Sequence, residues 1–377
     1  MTPPTRRDVL RMGAGAAAGA CAARLLGACG RDALSAPAHP TPAVSCLPGE
    51  SATVAAARGT DLAAMTRAAL AGIGGIDHVV RPGETVFVKP NMVSLPWADA
   101  RGSVFRGGEC TKPEILVAVA EECLKAGARS VTIGDGSQMP TFDWTRAVTL
   151  DGSTNLPAEA ARLTARYGRP VHLVCLDAET PEWVEVPVGT SLGSVVVSGL
   201  VTEADRVISV PVAKTHSWAH LTLSLKNFIG ITPLARYGWT GNGGNVDRAL
   251  LHRHDPRARD FGRLFIDLAR AAKPDLAIID MSIGLEGNGP TLDMPGARTV
   301  DMRTRLGSWL LLASTDATAA DATAARVLGL ESPYVDQILV MARAAGLGAI
   351  CESAIRIQGA TLEELKVTWT PASVALP

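Results

Sequence analysis

Ile115-Leu116-Val117-Ala118-Val119-Ala120-Glu121-Glu122-Cys123-Leu124-Lys125-Ala126-Gly127 runs directly into Ala128-Arg129-Ser130-Val131-Thr132-Ile133-Gly134-Asp135-Gly136. The hydrophobic period changes along the way. Up to Ala126 the apolar residues recur at helical spacing, and Gly127 supplies a stop. Residues 130–133 are a short run with the composition of a buried strand. Upstream, Thr111-Lys112-Pro113-Glu114 reads as the helix start, with Thr111 as N-cap, Pro113 in the first turn and Glu114 at N3. Before that, residues 85–90 read as another buried strand behind the Arg81-Pro82-Gly83-Glu84 turn. Strand, crossover helix and strand in this order form the unit of a parallel sheet covered by helices.

The alternation extends in both directions. Residues 53–57 read as a strand, and Asp61 caps a helix ending at Gly72 or at Gly74-Gly75. Residues 156–167 form a helix, 171–176 a strand, and 183–187 with 194–197 a strand pair on one edge. A strand at 205–212, a helix at 261–272, a strand at 276–280 and a last core strand at 308–314 follow. Residues 221–226 fit either a half-buried strand or a helix. The expected fold class is α/β, a mainly parallel sheet flanked by helices, in a single large domain.

The chain opens Thr5-Arg6-Arg7-Asp8-Val9-Leu10, followed by an Ala/Gly-rich run from 13 to 23. Paired arginines ahead of an apolar run indicate a twin-arginine export signal. The run is too short for a membrane span, which needs about 20 apolar residues. Leu26-Gly27-Ala28-Cys29 resembles a lipobox in which Cys29 is lipidated; cleavage after Ala36-Pro37-Ala38 is the alternative. The expected organisation is a signal over 1–29, a Pro-rich tether over 30–50 and an α/β domain over 51–377. The destination is the periplasm or cell envelope. The Tat export machinery is one partner, and the membrane is met only through the signal or a lipid anchor.

Without Arg6, Arg7, Arg11, Arg24 and Asp8 the chain carries 32 basic and 36 acidic residues, a net charge of −4. No basic stripe is interleaved with aromatics, so no nucleic-acid partner is expected. Seven cysteines stand at 21, 29, 46, 110, 123, 175 and 351, none spaced as C-x-x-C. No zinc ribbon or iron–sulfur cluster is expected. Five cysteines remain beyond the signal; odd in number and scattered, they do not suggest a disulfide framework. Cys123 and Cys175 read as small core residues.

Polar residues gather where the predicted strands stop. Residues 85–90 end in Lys89-Pro90-Asn91, and 130–133 run into Gly134-Asp135-Gly136-Ser137. Residues 205–212 deliver Pro211-Val212-Ala213-Lys214-Thr215-His216, followed by Leu221-Thr222-Leu223-Ser224-Leu225-Lys226-Asn227-Phe228-Ile229-Gly230. Open α/β sheets place ligand-contacting groups at strand ends. Singly, Lys89 is an ordinary strand-end cation and His216 a satisfied core histidine. Together, several buried cations call for an anionic partner. Lys89, Asn91, Thr111, Asp135, Thr222 and Asn227 are the candidate ligand-binding residues. Lys214, Lys226 and His216 are the candidate catalytic residues, with His216 as general acid/base. Asp135, Glu286, Asp316 and Asp321 are candidates to orient the histidine or hold a divalent metal; Asp316 also reads as an N-cap. The loop 94–109, with Arg101 and Arg106, is long enough to be functional, and 284–290 reads as a flexible acidic loop. His252, His254 and Asp255 could furnish metal ligands, but with Arg248, Arg253, Arg257 and Arg259 alongside they read first as a solvated basic loop.

Six ordered blocks resemble the DUF362 family over residues 54–329. They are Val88-Lys89-Pro90-Asn91, Thr111-x-Pro113-Glu114, Ile133-Gly134-Asp135-Gly136, the 211–216 and 222–230 segments, Lys273-Pro274-Asp275-Leu276 through Glu286-Gly287-x-Gly289-Pro290, and Ser314-x-Asp316-x-x-x-x-Asp321. The resemblance implies the fold and the place of the site. Some family members add a cysteine-rich iron–sulfur module, whose cysteines this chain lacks. Two functions are expected to compete. One is an exported enzyme acting on an anionic small molecule through a Lys/His/Asp site. The other is a non-catalytic exported ligand-binding or cofactor-assembly protein.

Overall fold

The computed structural model describes residues 45–189, 192–217, 219–241, 244–246, 248, 251, 261–331 and 338–372. The export signal, the lipidation at Cys29, and His252, His254 and Asp255 lie outside the described residues.

β1 (Ala52–Gly59) leads into α1 (Leu62–Gly72), where the Asp61 side chain accepts the Ala64 N–H as an N-cap. β2 (Thr85–Pro90), α2 (Pro113–Lys125) and β3 (Ser130–Asp135) form the expected crossover unit. The two strands pair in parallel, Val86 opposite Val131 and Val88 opposite Ile133. α2 buries Ile115, Leu116, Val119, Ala120, Cys123 and Leu124, the stripe its spacing predicted. α3 (Leu156–Tyr167) crosses to β4 (Val171–Cys175), again parallel.

β5 (Trp183–Pro187) and β6 (Ser194–Ser198) satisfy each other's backbone in a separate antiparallel pair, rather than extending an edge of the main sheet as expected. β7 (Arg206–Val210) is followed by Pro211, which has no N–H for a ladder. The chain then re-enters as β8 (Val212–His216) and returns as β9 (His220–Thr222). β10 (Trp239–Gly241) and β11 (Gly244–Val246) make a small hairpin. α4 (Phe261–Ala272) precedes β12 (Leu276–Glu286), β13 (Arg298–Asp301), β14 (Trp309–Ser314), α5 (Ala317–Val327) and β15 (Ile355–Gln358).

The main sheet runs β15-β1-β14-β12-β7-β2-β3-β4. From β12 to β4 all neighbours are parallel. β14 is antiparallel to β12 and to β1, and β15 joins β1 in parallel. β12 is buried along its whole length, as a strand covered on both faces must be. Its first part pairs with β7 and its second with β8 and β13. The acidic loop expected from Gly284 therefore begins three residues later, because Gly284, Leu285 and Glu286 belong to this strand. The sheet also continues past the expected last strand, with β15 on its edge.

Two further expectations are corrected. Lys112, whose side chain makes no capping hydrogen bond, is the N-cap of α2. Thr111 is bound to β7 instead, and Glu114 accepts the Leu150 N–H at 2.5 Å. Cys46 and Cys351 form a disulfide across 305 positions, with Cα atoms 5.1 Å apart. The odd count hid the pair, since Cys110, Cys123 and Cys175 are buried thiols. Glu50 reinforces the clamp by accepting the Ile350 and Cys351 N–H groups at 2.6 and 2.9 Å.

Candidate functional site

The sheet order reverses between β2 and β7: β3 and β4 lie to one side of β2, β7 and β12 to the other. At such a switch point the connections depart in opposite directions and leave a crevice at the carboxyl ends of the strands. Here Lys89 is in register with Ser209, and Pro90 with Val210. A 3-10 segment, Lys226–Ile231, packs over β2 and β7 and against α4. Asn227 fastens it. Its Nδ2 donates to Lys89 O at 2.7 Å and to Ser209 Oγ at 3.2 Å, spanning both strands. Its Oδ1 is buried without a hydrogen-bond partner. Asp321 accepts the Ser224 and Leu225 N–H groups at 2.8 and 3.0 Å, which orders the turn delivering Lys226 and Asn227. Thr111 Oγ1 donates to Val210 O at 2.6 Å and accepts the Asn91 N–H at 3.0 Å, joining the exits of β2 and β7.

Lys89, Lys112, Lys214 and Arg248 are all buried around this edge. Lys89 Nζ lies 2.5 Å from Asp135 Oδ1, Lys112 Nζ 3.2 Å from Asp280 Oδ2, and Arg248 Nη2 2.6 Å from Asp177 Oδ2. Lys214 differs. Its Nζ donates to Glu109 O at 2.8 Å and to Asn91 Oδ1 at 3.1 Å, both uncharged oxygens. Among the described residues no carboxylate forms an ion pair with it. Burial brings its ammonium down to about 8, against the opposing pull of Cys110 and Glu109. Burial also lowers Lys89, with Asp135 opposing. The approach of β3 to the 3-10 segment requires Gly230, where a Cβ would strike the Asp135 carboxylate.

In the β8–β9 hairpin Lys214 stands opposite Thr222 and His216 opposite His220. Alternation puts Lys214 and His216 on one face, and cross-strand partners share that face. His216 Nδ1 accepts the Ala219 N–H at 3.4 Å, and Thr222 Oγ1 is buried without a hydrogen-bond partner. Lys226 is not on this face: β9 stops at Thr222, and Lys226 Nζ lies 5.8 Å from the Phe265 ring centroid of α4.

The four carboxylates read as metal ligands are dispersed. Asp135 serves Lys89, and Asp321 serves the Ser224 turn. Glu286 Oε1 meets Arg305 and Arg298 at 2.8 and 3.2 Å, and Oε2 accepts the Thr370 N–H at 2.8 Å. Burial alone would raise Glu286, but these partners hold its carboxyl below the usual range. Asp316 caps α5 through the Ala319 N–H and also accepts the Ala349 N–H, both at 2.8 Å. Among the described residues no group of three or more His, Cys, Asp or Glu gathers as a metal set. Lys112, Asp280 and His220 are not among the expected site residues, and Arg248, expected as a solvated charge, is buried. Asp280 and His220 each stand beside an apolar run, a visible sign that Lys112 lacks.

These features define an α/β protein with an open, mainly parallel sheet and a cluster of buried polar side chains at its topological switch point. The chain belongs to the DUF362 family, described as a domain of unknown function, which matches residues 86–326. It is 28% identical over 286 residues to a thylakoid-associated protein of Synechocystis sp., covering 75% of this chain and 74% of that one. Among solved structures it is similar to the lactate racemase apoprotein from Thermoanaerobacterium thermosaccharolyticum, at 11% identity and a TM-score of 0.32 over 67% of this chain. A Thermotoga maritima protein gives 9% identity and a TM-score of 0.32 over 68% of this chain. The chain spans only 54% and 56% of those two proteins.

Proposed function

We propose that this protein is exported and acts as an enzyme on a small anionic molecule held at the β2–β7 switch point, with Lys214 as its charge partner. One observation carries the reading: Lys214 is buried against uncharged oxygens, while Lys89, Lys112 and Arg248 have carboxylates of their own. An uncompensated buried ammonium costs several kcal/mol, and a bound anion removes that cost. His216 sits beside Lys214 on the hairpin face, where it can exchange a proton with such a ligand. Lys89, Asn91, Thr111, Asp135 and Asn227 build the walls. Export is supported by the paired arginines of the signal and by the Cys46–Cys351 bond, since disulfides persist in oxidising compartments.

A binding or assembly protein is the second reading, favoured by the complete enclosure of Lys214. Native mass spectrometry of protein purified from its own host tests both. The wild type is expected to retain an anionic ligand that folded Lys214→Met has lost. Conversion of that ligand on incubation assigns an enzyme; release unchanged assigns a binding protein. Equal retention by Lys214→Met removes the reading.

A further inference from the structure

The site at the switch point uses neither Arg101 nor Arg106 of the loop 94–109. With Ala100, Val148 and Gly152 these two arginines line a cavity of about 460 Å³. Small-molecule sites span roughly 300–1,000 Å³, and an inorganic ion would fill only a small part of this one.

Hydrogen bonds give the cavity its shape. Gly102, at φ 67°, bends the loop toward the facing turn; a Cβ there would stand 3.0 Å from the Phe105 ring and 3.2 Å from Val148 O. Arg106 then reaches across. Its Nη2 donates to Leu150 O at 2.7 Å, and its Nη1 donates to Arg101 O. Glu114 holds the Leu150 N–H, so the residue that anchors Arg106 is itself fixed. Arg106 is thereby a pinned cation, joined to both walls.

No carboxylate shares the lining. Arg106 gives two N–H groups to carbonyl oxygens and keeps the others. Among the described residues the Arg101 guanidinium makes no hydrogen bond. The carboxylates nearest in the chain are engaged elsewhere. Asp99 accepts the Arg101 and Ser103 N–H groups at 2.9 and 3.0 Å, and these bonds lower its pKa more than the Arg101 charge does. Asp151 accepts the Ser153 N–H at 3.0 Å, the Ser153 hydroxyl at 2.8 Å and the Thr149 hydroxyl at 2.7 Å. Guanidinium groups grip carboxylates and phosphates through paired N–H groups. Ala100 and Val148 offer apolar surface to the rest of such a molecule.

We propose that this cavity is a second ligand site, binding a small organic anion by a carboxylate or phosphate head between Arg101 and Arg106, with its body against Ala100 and Val148. The inference goes beyond the reading of Lys214 and does not depend on it.

Calorimetric titration of protein purified from its own host tests this, with sodium succinate, glycerol phosphate and inorganic phosphate as probes. Succinate or glycerol phosphate is expected to bind at least tenfold more tightly than inorganic phosphate, and the better of the two identifies the head group. Arg101→Met, a change at an exposed side chain, should weaken that binding at least tenfold with the melting temperature unchanged. Ala100→Leu, also exposed, should weaken it by filling the cavity, and Lys214→Met should leave it intact. Failure of both organic anions to bind, or affinity no better than for inorganic phosphate, overturns the proposal. So does binding unchanged in Arg101→Met. If Lys214→Met abolishes that unchanged binding, the anion belongs at the switch point and the earlier reading stands alone.

Discussion

At the scale of single residues, Lys214 sets the clearest expectation. Its folded-state pKa of about 8 lies below its ordinary value of 10.5, so between these values the unfolded chain binds more protons than the native one. Stability must then rise with pH across that window, and the full cost of the charge is present below it. The rise is on the order of 3 kcal/mol. Urea unfolding from pH 7 to 10.5 should show a rise in the wild type that exceeds the rise in Lys214→Met by about this amount. Lys89, lowered in the same direction, contributes equally to both proteins. Parallel curves would refute this account of Lys214. The charges themselves were legible, since lysines closing apolar runs stand out. Their pairing was not: Lys112 meets Asp280 from 168 positions away, and no local pattern announces it.

At the scale of elements, Asp321 shows why a helix can carry an unfavourable residue. Aspartate in a helix interior competes with the helix for hydrogen bonds, yet here it is fully buried in α5 and holds two backbone N–H groups of the Ser224 turn. Hydrogen bonds to a charged group contribute about 1.5–3 kcal/mol each. Asp321→Ala should therefore lower stability by about 3–5 kcal/mol. Hydrogen exchange should accelerate at least tenfold at residues 224–227 before it does in β2 or β3. Uniform acceleration would assign Asp321 a global role instead. Asp321 was conspicuous in the sequence, but its purpose lay 97 positions upstream. β2 and β3 were legible because their β-branched runs are flanked by turn residues. The second half of β12 was not. Gly284 reads as loop, but is there because Ala213 O of β8 approaches where a Cβ would stand.

At the scale of the molecule, the disulfide closes most of the domain into one covalent loop. Losing a native disulfide typically costs 2–5 kcal/mol. Calorimetry should show Cys46→Ser and the reduced wild type melting several degrees lower, and alike, with the sheet otherwise intact. An unchanged midpoint would mean that the bond contributes nothing to the fold. Cysteine number alone could not reveal this pair, because parity says nothing about which thiols the core absorbs. The bond also has a mechanical side. Tension arriving through the segment before β1 meets Cys46 first, and the covalent link passes part of it to Cys351, just ahead of β15. β1 and β15 lie side by side and parallel. A pull thus enters two neighbouring strands from the same end, along their axes. The two strands are then drawn together, and the load falls in shear on the ladder between β1 and β14, where many bonds resist together instead of parting one after another.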